Sequence, residues 1–174
     1  AWRTATALQQ ARQPTSVMAL QQISDKDLAQ NTQILFIVST YGTGEAPDLA
    51  ASFEKKWMSK DLDLHHLKYA VLALGSKEYP DSYCAFGHRL DEWLGKQQAQ
   101  KMFDVIEVNN GNDEAINLWN LQLSAVSNLE LQEMNIDKVF DQWTLNYRSL
   151  LNPNSQGAPA YNIQLSCQHD MTWQ

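Results

Sequence analysis

"QILFIVSTYGTGEAPD" (residues 33–48) decides how the chain is read. Ile34 to Val38 are apolar at every position, the pattern of a strand covered on both faces, hence parallel and central in its sheet. The run passes at once into Thr40, Tyr41, Gly42, Thr43 and Gly44, so the strand ends by presenting main chain and one aromatic ring. Pro47 and Asp48 then suit the first turn of a helix. Leu49, Phe53 and Trp57 follow at four-residue spacing, which predicts one buried stripe.

Working outward, the same alternation recurs. Residues 2–12 carry Trp2, Ala5, Leu8 and Ala11 near helical spacing, and "SVMALQQI" (16–23) reads as a short strand. "YAVLALGS" (69–76) is a second buried strand. It leads into a loop and then into Tyr83, Phe86, Leu90 and Trp93 at helical spacing, with Gly95 as a C-cap. "MFDVIEVNNGND" (102–113) gives another strand ending in a polar turn, before a helix with Ile116, Trp119, Leu123 and Val126 on one face. Strands alternating with helices predict an α/β fold with a doubly wound parallel sheet. In such sheets ligands sit beyond the carboxyl ends of the strands. Three strand ends carry unusual loops, "STYGTGEAPD", "LGSKEYPDSYCAFG" and "VNNGND", and these should converge on one edge.

The chain has 174 residues, 44% hydrophobic and 19% charged, enough for one domain with an appendage. Its formal net charge of -7 provides no basic stripe and argues against a nucleic-acid partner. Cys84 and Cys167 share no metal-ligand spacing and read as reduced thiols in a cytoplasmic setting. No apolar run reaches the roughly 20 residues a membrane helix needs, and no signal peptide is visible. The chain opens "AWRTATALQQARQ" and closes "QLSCQHDMTWQ", so both ends read as cuts in a longer polypeptide.

Past about residue 128 the pattern changes. "NLELQEMNIDKVFDQW" is amphipathic, "LNPNSQGAP" is rich in turn formers, and Tyr161, Ile163, Leu165 and Cys167 alternate as a strand with one buried face. The reading is therefore a domain over 1–127, followed by a linker and connector strand over 128–174.

The loops could hold a flat ligand. Gly42 and Gly44 leave amides open to close approach, while Tyr41 on one loop and Tyr79 and Tyr83 on the other offer opposing faces. A single Gly-Tyr turn is more often only a turn. Two aromatic loops at neighbouring strand ends favour a clamp for a flavin or a base.

"STYGTGEAPD" and "LGSKEYPDSYCAFGHRLDEW" resemble the flavin-binding loops of the flavodoxin-like FMN domains in diflavin reductases, the group of the sulfite reductase flavoprotein and cytochrome reductases. "IEVNNGNDEAINLW" resembles their last strand and turn, and "FDQWTLNYRSLLNPNSQGAPAYNIQL" the passage into a ferredoxin-reductase-like FAD domain. Some bacterial members of that group carry a membrane-anchored segment elsewhere in the chain. The resemblance implies that Tyr41 and Tyr79 stack on the two faces of the isoalloxazine. The main chain at Thr40, Gly42 and Gly44 would meet the ring edge, with Gly42 supplying a peptide that turns to accept the proton on reduced N5. Leu74, Gly75 and Ser76 would line the ribityl side, with Tyr83 and Cys84 nearby; Cys84 reads equally well as a buried structural thiol. Asn109 or Asn110 would stand where relatives often have an acid.

Thr43 departs from the common Glu, which bears on flavin potential rather than on binding. The family's first strand and phosphate loop precede the point where this chain begins. That strand would lie between 16–23 and 33–40, and residues 160–168 or a second copy are candidates for its place.

The implied function is an FMN-dependent electron-transfer module of an NADPH-dependent diflavin oxidoreductase. FAD and NADPH would belong to a domain of the same polypeptide beyond this chain, and the acceptor would be a redox protein such as a sulfite reductase haem subunit. No side chain is expected to act as acid, base or metal ligand. His65 and His66 diverge, and His88 reads as a surface residue. The alternative is a flavodoxin-like interaction domain that holds no flavin.

Overall fold

The computed structural model describes residues 1–127 and 143–167. The chain divides into two compact units, Ala1–Met134 and Asn135–Gln174. In the first, β2 (Lys68–Gly75) is the middle strand of a parallel sheet. β1 (Gln33–Ser39) pairs along one side of it, from Gln33 opposite Lys68 to Ser39 opposite Leu74. The short β3 (Gln100–Lys101) and then β4 (Ile106–Asn109) pair along the other. β1 is thus an edge strand among the described residues. The helices are α1 (Trp2–Gln10), α2 (Asp25–Gln30), α3 (Asp48–Trp57), α4 (Ala85–Lys96) and α5 (Asp113–Ser127).

Side chains alternate across a strand, so a sheet covered on both faces needs apolar residues at every position. Phe36 and Val38 of β1 and Tyr69, Val71 and Ala73 of β2 enter one core with Phe53 and Trp57 of α3 and Phe86, Leu90 and Trp93 of α4. Ala70 and Leu72 enter the other core with Ile106, Val108, Trp119 and Leu123, flanked by Leu35 and Ile37. Phe53 meets Trp93 edge-on at 5.9 Å, and Phe103 meets Trp119 likewise at 5.4 Å. The Trp119 indole donates to Thr4 Oγ1 at 3.3 Å, joining α5 to α1.

Several expectations need correction. No strand forms over 16–23: Leu20–Gln22 is a single 3-10 turn, and the Gln22 side chain accepts from the Ala19 amide. A strand needs a hydrogen-bonded neighbour, and among the described residues 16–23 has none; a cleft of about 740 Å³ separates residues 13–18 from Gln33–Leu35 instead. Residues 161–167 are not a strand of the parallel sheet; they pair with another segment, as given below. The α3 stripe runs through Ala50, Phe53 and Trp57, leaving Leu49 exposed. Trp2 and Val126 are exposed too. Gly95 is not a C-cap: α4 runs on to Lys96, and Gln98 takes the left-handed turn with φ 64°.

In the second unit β5 (Trp143–Leu150) and β6 (Tyr161–Cys167) form an antiparallel hairpin with a register shift between Leu145 and Tyr147. β6 is the expected alternating strand, but Tyr161, Ile163 and Leu165 are exposed rather than buried. β5 went unforeseen. The connecting loop is organised by Asn152, whose amide accepts from Ala160 N and donates to Ala158 O. The amphipathic stretch 128–142 lies outside the described residues. Both cysteines are free thiols, and no helix among the described residues is long and apolar enough to cross a membrane.

Two outcomes follow from the packing. A Cβ on Gly87 would lie 2.4 Å from the Ala73 Cβ, because α4 rides directly on β2. Gly87→Ala should therefore lose about 1–3 kcal/mol in urea unfolding, although alanine is otherwise the better helix former. Burial, and next the hydrogen bond to Asp91 at 2.9 Å, hold the Tyr69 phenol well above its ordinary value of 10.0. Stability from that group is complete below its unfolded pKa and is lost as pH rises past it. The urea midpoint should fall above about pH 10, and Tyr69→Phe should flatten the fall.

Candidate functional site

The register brings three strand ends to one edge: Ser39 lies opposite Leu74, and Gly75 opposite Asn109. There a cleft of about 530 Å³ is lined by Ser39, Thr40, Tyr41, Gly42, Leu74, Gly75, Ser76, Tyr79 and Ser82. Two of its members are large aromatic residues left open to solvent, Tyr41 at 70% and Tyr79 at 64% exposure. The loops that carry them therefore face the same space.

The Tyr41 loop is a turn closed on itself. Tyr41 N donates to Glu45 O at 2.9 Å, while Gly44 N and Glu45 N both donate to Tyr41 O. The turn needs φ values of +55° at Gly42 and +122° at Gly44, and a Cβ on Gly42 would come within 2.7 Å of the Glu45 carboxylate. The Thr43 hydroxyl donates to Glu45 Oε1 at 2.8 Å, and this bond, with backbone amides behind it, keeps the Glu45 carboxyl below the usual range.

α4 fastens this turn to the sheet. Its N-cap residue Cys84 has φ 53° and supplies no side-chain cap, so the first-turn amide of Phe86 donates to Thr40 Oγ1 at 3.1 Å. The end of β1 thus caps the helix that covers it. Ser82 Oγ donates to Gly42 O at 3.4 Å, and Arg89 Nη1 to Gly44 O at 2.6 Å.

Seven of the twelve residues singled out in the sequence line the cleft: Thr40, Tyr41, Gly42, Leu74, Gly75, Ser76 and Tyr79. The other five do not line it. Thr43 turns to Glu45, and Gly44 is buried against Ala85. Tyr83 is half-buried beside Lys77, and burial, then its neighbour Cys84, push its phenol up to about 12. The Cys84 thiol is fully buried, donates to Ala73 O at 3.3 Å, and is pushed up by that burial, so it stays protonated at neutral pH. Asn109 accepts from Lys77 N at 2.9 Å through its side chain, tying the third loop to the second. Asn110, the other candidate, takes a left-handed conformation and donates its amide to Gly75 O.

Ser39, Ser82 and Arg89 were not anticipated. Ser39 was recoverable as the first polar residue ending an apolar strand. The other two act through contacts between distant parts of the chain, which local spacing does not encode. His88 is a surface residue whose Nε2 lies 2.6 Å from Glu107 Oε1.

Comparison with known proteins agrees with this architecture. The chain belongs to the flavodoxin family, whose model matches residues 1–119. It is similar to an inducible nitric oxide synthase of Gallus gallus, 31% identical over 107 residues, which are 60% of this chain and 9% of that protein. It is also similar to a sulfite reductase [NADPH] flavoprotein alpha-component of Vibrio cholerae, 35% identical over 107 residues, 61% of this chain and 17% of the other. The match thus spans less than a fifth of either relative. Among solved structures, a Streptococcus pneumonia TIGR4 flavodoxin superposes with a TM-score of 0.63 at 22% identity, covering 71% of this chain and 84% of that one. The fold is flavodoxin-like.

Thr40→Val keeps the shape of the side chain and removes the acceptor from the Phe86 amide. It should lower stability by about 1–2 kcal/mol, read as a reduced urea midpoint with an unchanged slope.

Proposed function

We propose that residues 1–127 form the FMN-binding, electron-relaying module of an NADPH-dependent two-flavin reductase, and that residues 128–174 lead into an FAD domain of the same polypeptide. The observation that carries this reading is the meeting of Tyr41 and Tyr79, two exposed phenols from different loops, at one cleft that Gly42 and Gly75 also line. The lining residues include no carboxylate, imidazole, amine or guanidinium. Such a surface is suited to holding a flat ring rather than to moving protons. The likeness to the flavoprotein component of an NADPH sulfite reductase supports the same reading.

FMN fits these residues. The cleft falls within the usual range for small-molecule sites, about 300–1,000 Å³, and pairs two aromatic residues with glycines and small hydroxyl residues. Tyr41 and Tyr79 would hold the two faces of the ring system. The main chain at Thr40 and Gly42 would meet its edge, and Leu74, Gly75 and Ser76 the ribityl side. Thr43, Gly44, Tyr83, Cys84 and Asn109 would support that contact layer from behind. When bound, FMN supplies the redox chemistry, and the protein contributes binding and tuning. Electron-rich phenols against both faces disfavour added electron density in the ring, which lowers its potential and makes it the better donor. Electrons would arrive from FAD, itself charged by NADPH, and leave to an acceptor protein such as the haem subunit of a sulfite reductase.

The test uses the intact protein. It should be yellow with a visible flavin band; a colourless protein that takes up no added FMN would favour the flavin-free interaction domain. Tyr41→Ala and Tyr79→Ala should each weaken FMN binding by roughly 1–3 kcal/mol, the usual worth of stacking on an aromatic side chain. Wild-type flavin content and potentials in both variants would refute the stacking assignment.

A further inference from the structure

The hydrogen bonds inside the Tyr41 turn set its shape but not its placement on the scaffold. Placement comes from four bonds to other elements: Thr40 N to Leu74 O at 3.1 Å, Phe86 N to Thr40 Oγ1 at 3.1 Å, Ser82 Oγ to Gly42 O at 3.4 Å, and Arg89 Nη1 to Gly44 O at 2.6 Å. The last is the shortest and the one with a charged donor, the stronger class of hydrogen bond. The guanidinium does more than touch the turn. Its Nη2 and Nε donate to Glu54 Oε1 of α3 at 2.8 and 3.3 Å, and its carbon lies 5.7 Å from the centre of the Phe86 ring. One planar fork therefore ties α4, α3 and the turn together. The turn in fact sits close against α4: a Cβ on Gly44 would lie 3.3 Å from Ala85 Cβ and 3.8 Å from Arg89 Nη1.

We propose that Arg89 is a positioning residue of the cleft, holding the Tyr41 turn in the pose that meets the ligand ring. This rests on the FMN reading above. Tyr41 is itself exposed, so the direction its ring takes is inherited from the turn. Glu54 balances the guanidinium's charge, so what Arg89 supplies beyond a cation is the geometry of its fork. The two can be separated. Lysine keeps the charge but presents a compact ammonium, which cannot span Gly44 O and Glu54 as a flat fork does. Arg89→Lys should consequently behave like Arg89→Ala, whereas a purely electrostatic influence would survive in the lysine variant.

The intact protein is stripped of flavin and titrated with FMN, and the midpoint potential of the bound flavin is then measured with FMN saturating. Both variants should raise the FMN Kd about tenfold and displace the bound-flavin potential from wild type. A general loss of stability would lower the melting temperature without moving the potential of flavin that is already bound. If Arg89→Ala does not fold, the lysine variant decides. Wild-type Kd and potential in the folded lysine variant overturn the proposal while leaving the FMN reading intact. A wild-type protein that binds no FMN overturns that reading before any variant is made.

Discussion

The structure depends first on the one-to-one parallel pairing of β1 with β2. Because side chains alternate, that register sends Phe36, Val38, Tyr69, Val71 and Ala73 into one core, and Leu35, Ile37, Ala70 and Leu72 into the other. A slip of one residue would exchange the two sets, forcing the Phe36 ring into the space that the smaller Leu35 leaves above α5. It would also part Ser39 from Leu74, and with them the two loops that make the cleft. The same pairing thus specifies both the hydrophobic interior and the place where the strand ends meet.

Above that frame the loops of the site are held in place chiefly by α4. The helix lies against β2 at a point where only glycine fits, takes its cap from Thr40, and reaches back to the turn through Arg89, while Ser82 in the loop before it holds Gly42. Packing therefore passes directly into site geometry, since anything that lifts α4 also moves the carbonyl of Gly44. A flavin-holding surface needs this kind of support, because the protein tunes such a cofactor by where it sets rings and amides rather than by reacting itself.

Much of this was legible in the sequence for a simple reason. The buried strands announce themselves as unbroken apolar runs, and Tyr-Gly and Gly-Ser turns after such runs mark the strand ends. The cleft members Tyr41, Gly42 and Tyr79 were accordingly found by position, whereas Leu74, Gly75 and Ser76 came from the family resemblance. What was missed depends on tertiary partners. Residues 16–23 have strand-like composition, but a strand exists only with a neighbour to bond. Gly95 resembles a helix stop, yet the helix runs on to Lys96, Gln97 is buried after it, and Gln98 makes the reversal. Ser82 and Arg89 look like ordinary polar residues near a helix start. Only the folded chain brings them to carbonyls some 40 residues away in sequence.

The outward side of β1 has a physical consequence of its own. Among the described residues no strand bonds to it, yet its seven residues include neither a charge nor a proline. Proteins usually blunt such a border with lysine, proline or a bulge, because its open amides and carbonyls act as a template for another extended chain. The open amides and carbonyls along that border can bond a further extended segment, so the sheet can be widened there without disturbing either core.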